Sequence, residues 1–101
     1  MKQFHSGGSW DERGPNSQTA LKDIMLFAHG EKTDSKGKKI TEIIPTPLDL
    51  NNVGAVGWGN GGNILLVTMS KFALDLGFLK WVAFYESPIG PLKPIGAWNY
   101  E

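Results

Sequence analysis

Apolar positions along the chain come in short runs whose spacing changes from segment to segment. Over residues 16–30, Leu21, Ile24, Met25 and Ala28 recur every three or four positions, the mark of a helix with one buried face. Asn16 or Ser17 can cap its start, and Gly30 suits the left-handed position after its end. A strand over residues 24–28 is the competing reading. Ile40-Thr41-Glu42-Ile43-Ile44 is rich in β-branched residues. It lies between the turn chemistry of Asp34-Ser35-Lys36-Gly37 and the donor-less Pro45 and Pro47, so it predicts a strand.

A short apolar piece, residues 53–56, leads into Gly57-Trp58-Gly59-Asn60-Gly61-Gly62, which reads as a loop. Residues 63–68 then read as a buried strand. Ser70 can cap a two-turn helix through Phe72, Ala73 and Leu76, closed by Gly77. Residues 78–85 are apolar on both faces except for Lys80, as a central strand would be. The rival, one helix over residues 70–86, is disfavoured by Gly77 and the dense aromatics. Pro88, Pro91 and Pro94 impose an extended course, and residues 95–100, with Trp98, read as an edge strand.

These elements predict an α+β fold: a small antiparallel sheet of four to five short strands with one main helix. A mostly β, barrel-like domain is the alternative. Residues 1–101 form a single domain, in which the polar, glycine-rich residues 1–16 are a flexible arm unless Trp10 pins them. The expected core is Leu21, Ile43, Leu65, Val67, Trp81 and Ala83.

Composition narrows the function more than the fold. The 41% hydrophobic and 20% charged fractions are those of a globular protein rather than a disordered one. Ten basic and ten acidic residues give a formal net charge of zero, and Arg13 is the lone arginine. That balance disfavours nucleic acid as a partner, because phosphate binding draws on an excess of Lys and Arg. It also leaves little colloidal repulsion against forming a homo-oligomer. With no cysteine, disulfides and thiolate chemistry are absent. The start of the chain has no apolar signal region, and the most apolar window, residues 64–85, contains Lys71, Asp75 and Lys80. A cytoplasmic protein with no membrane partner is the expectation.

The chemistry-bearing residues are few. Residues 57–62 fit G-x-G-x-x-G, with Asp75 roughly where a ribose-binding acid would stand. The strand-like run that follows and the short chain argue against a dinucleotide domain, so a ligand-facing turn or a hairpin is the preferred reading. His5 and His29 could serve acid–base cleavage of RNA or another hydrolysis, beside Glu31 and Lys32. A helix-ending histidine that complements the helix dipole is the simpler account of His29. Two distant histidines without cysteine make a metal site unpromising, and no cofactor is expected. Lys32, Lys36, Lys38 and Lys39, interleaved with Glu31 and Asp34, read as a solvated loop.

The tryptophans divide by context. Trp81 belongs with the core, whereas Trp10, Trp58 and Trp98 sit among Gly, Asn, Asp and Pro, where a large ring is hard to bury. The expectation is a non-catalytic binding protein of inhibitor or accessory type, engaging a protein or small-molecule partner. Trp58, Asn60, Trp10, Arg13 and Trp98 are its candidate contacts. The alternatives are a small hydrolytic or RNA-cleaving enzyme using His5 or His29, and a self-assembling subunit of a virion or filament.

Overall fold

The computed structural model describes residues 8–87. Helix α1 (Pro15–Ala28) runs where the apolar spacing predicts it. Its start is held by neither Asn16 nor Ser17 but by Asp11, whose carboxylate accepts from the amides of Asn16 (2.7 Å) and Ser17 (3.0 Å) and from the Ser17 hydroxyl (2.6 Å). Pro15, with no amide to satisfy, fits the first turn. Gly30 follows the helix at φ 86, in the left-handed region.

The predicted strand at residues 40–44 is instead α2 (Ile40–Ile43), a single helical turn. The Lys39 amide donates to the Glu42 carboxylate at 2.7 Å, no strand among the described residues pairs with this segment, and Ile43 is exposed. Strand β1 (Gly54–Trp58) then enters the glycine run, and helix α3 (Asn60–Lys71) begins within it.

That helix occupies residues 63–68, where a buried strand was expected. The burial pattern explains why. Leu65, Thr68, Met69 and Phe72 face the core at helical intervals, while Leu66 is exposed; a strand would have buried alternate residues. The expected helix from Ser70 to Gly77 is not a separate element: α3 ends at Lys71, and residues 72–78 form turns before strand β2 (Trp81–Tyr85).

The sheet is correspondingly different from the antiparallel one of four to five strands. Among the described residues it has two strands, β1 and β2, paired in parallel with Gly54 opposite Trp81 and Trp58 opposite Tyr85. Parallel neighbours need a crossover, and α3 supplies it. The barrel-like alternative falls for the same reason. The edge strand expected at residues 95–100 lies outside the described residues.

The core is Met25 of α1, Leu65 of α3 and Leu76, ringed by Leu21, Ala55, Met69, Phe72, Phe78, Leu79 and Val82. Of the expected core, Leu65 is buried, and Leu21 and Val67 are half-buried. Trp81 and Ala83 are exposed, because nothing among the described residues covers the side of the sheet away from α3, and Ile43 is exposed on α2.

Candidate functional site

The glycine run adopts the strand–turn–helix frame that its motif requires. Gly57, next to last in β1, sets its α-carbon against α3: a β-carbon there would stand 2.5 Å from Gly62 Cα. Gly59 makes the turn at φ 51, a backbone conformation that side-chain-bearing residues rarely adopt. Gly62 is buried where a β-carbon would collide with the Ser87 side chain, and Phe84 lies just beyond. Gly57 and Gly62 thus allow helix and sheet to touch, while Gly59 and Gly61 have open space beside them. The expectation that a strand follows the motif, which counts against a dinucleotide domain, is overturned by α3. Asp75 does not take part: it lies exposed in the turns after α3, its amide donating to the Phe72 carbonyl. The acid at the end of β2 is Glu86, at φ 48.

The turn preceding α1 meets the start of α3. Arg13 Nη1 donates to Asn60 Oδ1 at 3.2 Å and to Asn63 Oδ1 at 3.1 Å. The Arg13 carbonyl accepts from Gln18 Nε2 at 2.8 Å, and Lys71 Nζ, from the far end of α3, donates to Gln18 Oε1 at 3.3 Å, so polar groups from both ends of α3 meet the first turn of α1. Arg13 is only 8% exposed, and Asn63 1%. Arg13 Nη2 is sealed from solvent without a hydrogen-bond partner, and no carboxylate among the described residues forms an ion pair with Arg13. A depression of about 280 Å³ opens here, lined by Trp10, Glu12, Arg13 and Asn60.

Three of the residues singled out in the sequence, Trp10, Arg13 and Asn60, therefore converge. Trp58 does not join them. Its ring, 66% exposed, projects from the opposite side of β1 to Gly57. Trp98 lies outside the described residues. Sequence reasoning misses Asn63, because residues 63–68 read as a strand with no role at the turn; Gly62, the motif's third glycine, is the signal that a helix starts there.

His29 is held structurally. Nδ1 donates to the Leu50 carbonyl at 2.7 Å, the ring stacks on Phe78 at 4.0 Å, and Nε2 lies 3.6 Å from Glu31. His5 lies outside the described residues. Among the described residues no cluster of three or more His, Asp or Glu is arranged to hold a metal, and no helix is long and apolar enough to cross a membrane. The lysine-rich loop is ordered by Asp34, which accepts from the amides of Lys36 and Lys38, each at 2.9 Å. The Lys38 amide foremost holds the Asp34 carboxyl below its ordinary range.

Comparison with known proteins gives no matching family model, no matching curated protein and no matching solved structure.

Proposed function

We propose that this domain is a binding module for a small-molecule partner, seated at the β1–α3 turn and contacted by Trp10, Arg13 and Asn60. The carrying observation is that Arg13 reaches across 47 positions of sequence to bond Asn60 at the rim of an open depression. A buried guanidinium with free donor capacity and an exposed tryptophan beside it offer one polar and one flat apolar contact, the usual make-up of a small-ligand site. Binding is favoured over hydrolysis because His29 is committed to Leu50 and Phe78. A melting-temperature screen of small polar and heteroaromatic compounds tests the reading. Hits should be lost in Trp10→Ala and kept in His29→Phe. A screen without hits, beside a protein partner captured through Trp58, would reject it.

A second reading, self-association, is favoured by one observation: Val56, Trp58, Trp81 and Tyr85 form an apolar face on the sheet that nothing among the described residues covers. Trp58 then acts as an interface anchor, and Trp58→Ala should weaken association by about 2 kcal/mol or more with little loss of melting temperature. Sedimentation at increasing protein concentration measures it.

A further inference from the structure

We propose that the ligand of the β1–α3 turn is a nucleoside diphosphate, with its phosphates on the turn and its base against Trp10; this rests on the small-molecule reading of the same site. The first ground is the start of α3. No side chain caps the helix, which begins with Asn60, Gly61 and Gly62 and has no acidic residue in its first turn. The Gly62 and Asn63 amides donate to the Gly59 carbonyl at 3.1 and 3.4 Å, which leaves those of Asn60 and Gly61 and the partial positive charge of the helix start for a ligand, and Gly59 and Gly61 leave it open to close approach.

The second ground is independent. Arg13 carries a full positive charge into that same end of α3, nine-tenths buried, with Nη2 unpartnered. Its present hydrogen-bond partners, the amide oxygens of Asn60 and Asn63, are neutral. A buried guanidinium beside the positive end of a helix is a mismatch that an anion resolves, and phosphate oxygens fit both donor sets. Glu12, at φ 61 on the rim, is the one carboxylate among the described residues that lines the depression, and it forms no ion pair with Arg13. Nη2 lies beneath the surface, so phosphate contact with it requires the Trp10–Glu12 turn to move.

The base is placed by Trp10, 82% exposed on the same rim, whose ring offers a stacking platform. The position also has a topological logic. In parallel sheets ligands sit beyond the carboxyl ends of the strands, and both β1 and β2 end at this turn.

Calorimetric titration of the full chain with ADP, inorganic pyrophosphate and adenosine tests the proposal. ADP should bind, pyrophosphate should bind more weakly, and adenosine at least about tenfold more weakly than ADP. ADP affinity should drop several-fold between about 50 and 500 mM NaCl, as expected for a site open to screening. Gly61→Asp puts a carboxylate in the first turn of α3, where it favours the helix but repels phosphate. It should cost ADP at least about tenfold in affinity with the melting temperature held or raised. Arg13→Lys should weaken ADP comparably. Adenosine binding as tightly as ADP, or Gly61→Asp leaving ADP binding unchanged, overturns the diphosphate while leaving the small-molecule pocket standing. No binding by any of the three probes also overturns it, and the compound screen then judges the pocket separately.

Discussion

The two faces of the β1–β2 sheet are made from the same ten residues and meet opposite surroundings. Toward α3 stand Ala55, Gly57, Val82 and Phe84, and the contact is close enough that Gly57 faces Gly62 backbone to backbone. Away from it stand Gly54, Val56, Trp58, Trp81, Ala83 and Tyr85, with Trp81 lying over Gly54 and its neighbours in solvent. Parallel sheets are normally covered on both faces. The difference teaches that hydrophobicity along a strand states what it is able to bury, and the neighbours decide what it does bury. On the covered side Gly57 lets a helix approach, although Phe84 at its edge stays 44% exposed; on the open side bulk is displayed.

The largest effect that could break this comparison is at Leu65. It is 3% exposed, at the centre of the contact among α1, α3 and the sheet. Leu65→Ala should cost about 2–5 kcal/mol, a large part of a small domain's stability. Chemical denaturation measures it. A loss under about 1 kcal/mol would mean that the covered side is not the core.

What the sequence disclosed follows the same line. The α1 spacing was legible because Leu21, Ile24, Met25 and Ala28 carry the period of one face. Asn63-Ile64-Leu65-Leu66-Val67-Thr68 misled, since its period is blurred by apolar Leu66 on the solvent side and polar Asn63 and Thr68 within. Tertiary contact overrode the strand preference of its β-branched residues. That one error turned a strand–turn–helix–strand unit into a hairpin, and with it the parallel sheet into an antiparallel one. The candidate residues fared differently, since Trp10, Arg13 and Asn60 were picked out for chemistry rather than for secondary structure. Their meeting depends on α1 and α3 packing side by side, which no local pattern announces.

The next effect sharpens the comparison at its closest contact. Gly57→Ala sets a methyl group 2.5 Å from Gly62 Cα and 2.8 Å from Gly62 N, backbone that has no flexible side chain to move aside. The helix must shift, at about 1–3 kcal/mol. Melting should fall accordingly, and ADP binding should weaken with it because the turn moves.

On the open face the expected effect is smaller. Trp81 is 49% exposed and covers Gly54. Trp81→Ala should cost about 1 kcal/mol, well below Leu65→Ala, since only part of the ring leaves a contact. A cost equal to that of Leu65 would show that the open face is covered in solution, and sedimentation would tell whether a second copy covers it.

The smallest effect lies at the outer layer of the covered side, where Asp11 holds the start of α1. The Ser17 hydroxyl foremost, with the amides of Asn16 and Ser17, holds the Asp11 carboxyl below its ordinary range. A carboxyl whose folded value is depressed stabilises the fold above its unfolded value, near 3.9. That contribution fades as pH falls from there through the lower folded value. Asp34 is shifted in the same direction by the Lys38 amide, so the acid limb of the wild type alone cannot be assigned to either group. Asp11→Ala separates them. At neutral pH the variant should melt below the wild type, because the first-turn amides lose their acceptor. As pH falls below the ordinary carboxylate range, the two melting temperatures should converge, while the Asp34 contribution is lost equally from both. A gap that stays constant down to low pH would mean that Asp11 acts through packing against Gly14, where a β-carbon would meet its Oδ2 at 2.7 Å, rather than through its charge.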